Sequence, residues 1–167
     1  MSYVDKNLMD GEQVMYRTHR HWVIFATPLT FLLIGVVILL VTAVLSSNGE
    51  INSDTAWVLI LIAGLAGIIA LVMAIPAWVE RRTSEFAVTN KRVIVKIGWI
   101  RRRSDETLLT KIEGIEVIQG IWARMLNYGT IIITGTGGSR EPFTRIAAPL
   151  LFRRKVQEQI IAMQSVR

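Results

Sequence analysis

The sequence predicts a membrane protein of the α+β class. A two-helix transmembrane hairpin comes first, followed by a small antiparallel β-sheet or barrel capped by a C-terminal helix. Two apolar runs, residues 22–45 and 56–79, each contain 24 residues without a charge and are separated by only ten residues. At about 1.5 Å per residue, a helix of that length reaches roughly 36 Å, more than the ~30 Å bilayer core. Short segments rich in β-branched residues and one amphipathic segment follow.

The distribution of charge predicts the orientation of the hairpin. Orientation follows the Lys and Arg residues that lie close to the ends of the spans. Basic residues precede the first run and follow the second: Arg17, Arg20, Arg81 and Arg82. The link, residues 46–55, contains two acids and no base. We therefore expect both termini in the cytoplasm and the link outside.

The chain divides into three parts on this basis. Residues 1–21 form a cytoplasmic segment with one possible strand, residues 22–79 form the hairpin, and residues 80–167 form a cytoplasmic domain. Those last 88 residues suffice for one modest core. Cysteine is absent, so neither a disulfide nor a Cys-ligated metal site is possible. The sequence leaves open whether residues 11–21 join the cytoplasmic sheet.

The hairpin carries features of membrane anchoring and of helix packing. We expect Trp22 and Trp78 at the cytoplasmic interface and Trp57 at the outer one, where indole rings prefer to lie. Small residues recur at four-residue spacing in the second span: Ala63 with Gly67, and Ala66, Ala70 and Ala74. This spacing predicts close helix packing, either against the first span or against another protomer. Neither run contains an ionisable residue, which favours an anchor over a transporter.

The part after the hairpin predicts strands followed by one helix. The expected strands are residues 85–89, 92–97, 99–103, 110–119, 130–134 and 141–146, with a bulge at Gly114. A helix begins at Pro149, and its apolar stripe contains Phe152, Val156, Ile160 and Met163.

Several short motifs, in their order and spacing, carry a resemblance to a known family. They are Gly11-Glu12, His19-x-His21-Trp22, Ala87 to Ile94 (AVTNKRVI), Lys111 to Val117 (KIEGIEV), Leu126 to Thr130 (LNYGT), Gly135 to Gly138 (GTGG) and Ile146-x-x-Pro149. Residues 10–160 thus resemble the bacterial pleckstrin-homology-like (PH-like) membrane proteins of the YdbS-like group. The resemblance implies a PH-like barrel with a C-terminal helical cap, located at the bacterial cytoplasmic (inner) membrane. It implies no established activity.

Basic residues are the strongest functional signal of the cytoplasmic domain. Residues 80–167 contain sixteen Lys and Arg residues against eight acids. Two clusters stand out: Arg101, Arg102 and Arg103 beside Trp99, and Arg153, Arg154 and Lys155 in the first turns of the last helix. Cations at a helix N-terminus oppose its dipole, which suggests another use for them. Each cation near an anionic leaflet contributes about 1 kcal/mol. We expect these clusters to face lipid, the alternative being a solvated basic surface.

The leading hypothesis is a non-enzymatic, membrane-anchored module that binds anionic lipid headgroups or a protein partner. No catalytic constellation, cofactor site or metal site is legible in the sequence. The alternative is a homo-oligomeric scaffold subunit of a membrane complex without a lipid ligand. A small transporter or channel subunit is a more remote alternative. Nucleic-acid binding is not expected, because Trp99 is the only clear aromatic beside the arginines.

Overall fold

The computed structural model describes residues 3–98, 103–136, 138 and 140–165. The chain forms two compact units. The first unit, called the domain below, combines Met1–His21 with Glu80–Arg167, and the second, the hairpin unit, is Trp22–Val79. Trp99, Arg101 and Arg102 lie outside the described residues, so the predictions made for them are not addressed by the structure.

The hairpin unit is built from two long helices. A 3₁₀ turn, Trp22–Phe25, leads into α2, Ala26–Ser47, and α3 extends over Ser53–Thr83. By length and composition, both helices are long and apolar enough to cross a membrane. Pro28 lies in the first turn of α2, where a missing backbone N–H costs little, whereas Pro76 lies inside α3.

Small residues of α3 approach α2 of the same hairpin at Gly35. They are buried or half-buried: Ala63, Ala66, Gly67, Ala70 and Ala74. At Gly35 of α2, an added Cβ would lie 3.1 Å from the carbonyl oxygen of Ala63 and 3.5 Å from Cβ of Ala66. Glycine therefore lets the two backbones approach closely at this point. At Gly35 the contact is thus between the two spans, and the packing of Ala70 and Ala74 stays a prediction.

The described residues of the domain form seven antiparallel strands in two sheets. The first sheet has the order β1 (Val14–His19), β2 (Glu85–Thr89), β3 (Arg92–Ile97) and β4 (Arg103–Leu108). The second has the order β5 (Ile112–Ile118), β6 (Tyr128–Gly135) and β7 (Arg140–Ala147). Three helices accompany them: α1 (Tyr3–Lys6), α4 (Ile121–Met125) and α5 (Pro149–Ser165). A 3₁₀ turn, Leu109–Lys111, joins the sheets.

Strand β1 answers the question that the sequence left open, because it pairs with β2 as an edge strand. The bulge expected at Gly114 is present as a register shift between Ile112 and Gly114. The strand expected at residues 99–103 is seen only at its end, since the described strand β4 begins at Arg103. Most of β4 is polar and contains no apolar alternation, so periodicity gave no signal for it.

The core lies between the two sheets and α5. Phe152 and Val156 of α5 are buried, and Ile160 and Met163 pack against the same cluster, as their spacing predicts. Strands β2 and β3 are buried on both faces rather than on one. Ala87 and Ile94 point away from the main core and are covered by Val4 of α1.

The last residues before the hairpin join the two sheets. The hydroxyl of Thr18 donates a hydrogen bond of 2.8 Å to the carbonyl oxygen of Ala147 in β7. Arg20 forms an isolated antiparallel bridge with Ile146, and the N–H of His21 donates to the carbonyl oxygen of Arg145 at 2.7 Å. The segment that enters the hairpin is thus fixed to β7 by its backbone.

A buried ion pair fixes the N-terminal segment to the first sheet. The Nε and Nη2 atoms of Arg92 lie 3.0 and 2.9 Å from the two carboxylate oxygens of Glu12. Glu12 also accepts hydrogen bonds from the N–H of Met9 at 2.8 Å and from the hydroxyl of Thr89 at 2.7 Å. Arg92 donates further bonds to Glu106 and to the carbonyl oxygen of Asn7. The two side chains are only 7% and 0% exposed, for Arg92 and Glu12 respectively.

Residues quoted above for the family resemblance contact each other around this ion pair. Gly11 has a φ of 71°, a conformation in which glycine is favoured, and its carbonyl oxygen accepts a bond from the side chain of Asn90. The side-chain oxygen of Asn90 accepts a bond from the N–H of Gln13. The Gly11-Glu12 motif and the Thr89-to-Arg92 turn are therefore two halves of one contact.

Replacing Gly35 by leucine is expected to destabilise the hairpin, because the added Cβ meets the backbone oxygen of Ala63. Overpacking of this kind costs about 1–3 kcal/mol. Thermal unfolding of the full chain in detergent measures the loss. Gly64→Leu is the matched control, since a Cβ at Gly64 meets nothing within 4 Å. An equal loss of stability in Gly64→Leu would contradict the prediction, because the effect would then not depend on the contact between Gly35 and Ala63.

Arg92→Met is expected to lower the free energy of unfolding by about 3–5 kcal/mol, because it leaves the Glu12 carboxylate buried without its cation. The double variant Glu12→Leu/Arg92→Met removes both charges and should recover part of that loss. Thermal unfolding of the three proteins in the same detergent compares them. A double variant that is less stable than Arg92→Met would contradict this assignment.

Stability is expected to depend on the ionisation of Glu12. Burial by itself would raise the pKa of Glu12, but hydrogen bonds from Arg92, Met9 and Thr89 outweigh it and lower the pKa below the ordinary 4.5. The stabilisation is therefore fully present above about pH 4.5 and is lost as pH falls through the folded-state pKa. The difference in unfolding temperature between the unaltered chain and Glu12→Gln should shrink over that range. A difference independent of pH would refute the coupling.

Candidate lipid-facing surface

Of the first predicted basic cluster, Arg103 is the arginine that the structure describes, and its charge is shared by two acids. Its guanidinium group lies 2.9 Å from Asp105 and 2.5 Å from Glu141. The hydrogen bond and charge of Asp105, together with Glu141, raise the pKa of Arg103. Two carboxylates around one cation leave no excess of positive charge at this point. Whether Arg103 faces lipid stays a prediction.

The second predicted cluster is partly neutralised within its own helix. Arg154 and Lys155 lie 3.0 and 2.8 Å from the carboxylate of Glu158, one turn further along α5. Hydrogen bonds from Lys155 and then Arg154 lower the pKa of Glu158. The cluster keeps an excess of positive charge, since Arg153 adds a third cation. Within the part of the chain that the structure describes, no hydrogen bond or ion pair joins Arg103 to this cluster.

The predicted interfacial anchors lie at the helix ends and are exposed. Trp22 is 47% exposed, Trp57 is 64% exposed and Trp78 is 55% exposed. Arg81 and Arg82 form the last turn of α3, where cations complement the helix dipole.

A third basic group, whose members the sequence did not show to be neighbours, lies where the domain leads into the hairpin. We call Arg20, His21, Arg81 and Arg145 the junction cluster. The side chain of Arg20 is 9% exposed, and its guanidinium group lies 3.0 Å from the carboxylate of Glu80. Burial lowers the pKa of Arg20, the charge of Glu80 opposes this, and the positive charge of Arg145 adds to the lowering. Arg20 and Arg145 are thus close enough to repel each other.

His21 is held within the junction cluster by its backbone and its ring. The ring stacks on Tyr128 of β6 with centroids 5.3 Å apart, and the N–H of His21 donates to the carbonyl oxygen of Arg145. Burial and the nearby charge of Arg81 lower the pKa of His21, so the ring is neutral at pH 7. Among the described residues no group of three His, Asp or Glu side chains is arranged to hold a metal ion.

The sequence identified two members of the junction cluster but gave no signal for Arg145. The rule that cations flank spans identified Arg20 and Arg81. Arg145 gave no such signal, since it lies far from the hairpin in sequence. Its backbone has a φ of 57°, within the bulged end of the β6–β7 pair, and this is visible only in the structure.

A comparison with models of protein families gives a match. No curated protein and no solved structure matches the chain. A family model described as "Bacterial PH domain" matches residues 22–163, which include both hairpin helices, six of the seven strands and most of α5. The narrower YdbS-like group stays a prediction. On the strength of that match, the chain belongs to the bacterial PH domain family.

Proposed function

We propose that this chain is a membrane-anchored binding module whose domain contacts anionic lipid headgroups at the inner face of the bacterial cytoplasmic membrane. PH-like domains are in general lipid- or protein-binding modules rather than enzymes. The hairpin crosses the membrane twice, with both termini in the cytoplasm.

The observation that carries the proposal is the exposure of the two apolar helices. A core helix of a soluble protein would be mostly buried, whereas only 11% of the most apolar window of each helix is buried within this chain. Exposed apolar surface of that extent requires an apolar surrounding. The absence of charge from residue 22 to residue 45 and from residue 56 to residue 79 supports lipid as that surrounding.

Cations of the domain support contact with headgroups. Arg145 is exposed and belongs to the junction cluster, next to the residue that precedes the first span. The clusters at Arg101 to Arg103 and Arg153 to Lys155 remain proposed lipid-facing residues. Of these, we expect Arg103 to contribute least, because Asp105 and Glu141 offset its charge.

A second candidate function is a protein-binding scaffold that assembles with copies of itself. A groove of about 640 Å³ lies between α5 and the start of β5, lined by Leu109, Ile112, Ile160 and Met163 among others. A partly apolar groove beside a helix can accept an extended or helical segment of a protein. The mass of the protein in detergent would separate the two candidates, since a monomer would count against self-assembly.

Arg145→Gln is expected to weaken the preference of the full chain for anionic over neutral lipid. The probe is spin-labelled phosphatidylglycerol or phosphatidylcholine in vesicles that contain the reconstituted protein. The motionally restricted fraction measures contact with each lipid. One cation near the surface contributes about 1 kcal/mol, so the preference should fall roughly fivefold or less.

Arg140→Gln is the matched control, since Arg140 lies on the same strand, is exposed and is paired with Glu116. The preference of Arg140→Gln for anionic over neutral lipid should equal that of the unaltered chain. High salt should reduce this preference in both proteins. Equal restriction of the two lipids at low salt would overturn headgroup binding and favour the scaffold.

A further inference from the structure

Helix α4 presents an apolar surface that the fold does not use. Ile121, Trp122 and Met125 are 80%, 72% and 71% exposed, and they are the most exposed large apolar side chains among the described residues of the domain. Ala123, by contrast, is buried and attaches the helix to the sheet below. Ile118 and Leu126 extend the exposed surface on either side. A contiguous apolar surface of this kind marks an interaction site.

The base of this helix is firmly held, so the exposure does not result from a loose loop. The side chain of Gln119 donates a 2.7 Å hydrogen bond to the carbonyl oxygen of Tyr128. Asn127 closes the helix with a φ of 56°, and its carbonyl oxygen accepts the N–H of Ala148 at 2.9 Å. An added Cβ at Gly129 would lie 2.8 Å from Cγ of Gln119, so only glycine allows this close packing. Helix α4 is thus displayed on a fixed support.

The position of α4 within the domain indicates what it meets. A cavity of about 370 Å³ is lined by Trp122 and Ile121 of α4, together with Tyr128 and Arg145. Tyr128 in turn stacks on His21, the residue directly before Trp22 and the first span. Helix α4 therefore lies at the end of the domain where the chain enters the hairpin.

The charge around α4 matches an anionic partner. Arg124 is exposed within the helix, and Arg145 lines the adjoining cavity. No acid occurs between Glu116 and Glu141 in the sequence. Tryptophan with large aliphatic side chains and a cation is the composition of segments that lie in the membrane interface.

We propose that α4 is a second membrane contact, which inserts Ile121, Trp122 and Met125 into the interfacial region of the bilayer that holds the hairpin. Arg124 remains at headgroup level. This inference rests on the proposed function, because it requires the hairpin to lie in that bilayer. The contact would hold the domain at the membrane surface in one orientation, with the junction cluster next to the headgroups.

Site-directed spin labelling of the full chain tests the proposal, since the chain has no cysteine and single ones can be introduced. Met125→Cys is labelled with a nitroxide, and the protein is reconstituted in vesicles of phosphatidylcholine with phosphatidylglycerol. The ratio of collision rates with oxygen and with a water-soluble nickel complex reports contact with lipid. Ile161→Cys is the matched control, because Ile161 is a 65% exposed aliphatic residue on α5.

The expected result is an oxygen-to-nickel ratio at position 125 several-fold higher than at position 161. Equal, water-like ratios at the two positions would overturn the proposal. A label at position 125 shielded from both reagents would also overturn it, by showing burial against protein. Ile68→Cys, at a 61% exposed position near the middle of α3, tests the hairpin separately. A lipid-like ratio there with a water-like ratio at 125 rejects the α4 contact alone, whereas a water-like ratio at 68 rejects the membrane anchor itself.

Discussion

The ion pair between Glu12 and Arg92 joins segments of the chain that are separated by the whole hairpin. Burying two charges costs several kcal/mol each unless hydrogen bonds satisfy their remaining atoms. Here Thr89, Met9, Glu106 and Asn7 provide those bonds. The position of the N-terminal segment therefore depends on β2, β3 and the turn at Asn90 that joins them. Strand β1 follows directly from this fixed point and continues into the hairpin.

The path of β1 connects the core of the domain to its proposed contact with the membrane. Thr18, Arg20 and His21 bond to the end of β7, so the strand that leads into the hairpin also closes one side of the two sheets. That closure brings Arg145 and Tyr128 next to His21. The cations and aromatic rings of this region come from four separate parts of the sequence. They are therefore neighbours only in the folded domain.

Positive charge in a sequence is a weaker guide to a binding surface than its clusters suggest. Arg103 lies beside an acid of its own strand and an acid of β7, and Arg154 and Lys155 lie beside an acid in the next turn of their helix. Glu141 of β7, which offsets the charge of Arg103, is 38 residues away from it in sequence. A net charge counted along the chain does not show this pairing.

The sequence by itself determined the features that depend on local periodicity. The two apolar helices, the stripe of α5 from Phe152 to Met163 and the bulge at Gly114 follow from spacing alone, because each is set by residues within a few turns or one strand. Local periodicity did not predict strand β4 over these residues, because polar and apolar residues do not alternate along it. Tertiary structure decided the features that depend on contacts between distant segments. These are the ion pair of Glu12, the burial of β2 and β3 on both faces, and the junction cluster. It also decided which apolar residues stay outside, because Trp122 and Phe152 look alike in sequence and only packing against the sheets distinguishes them.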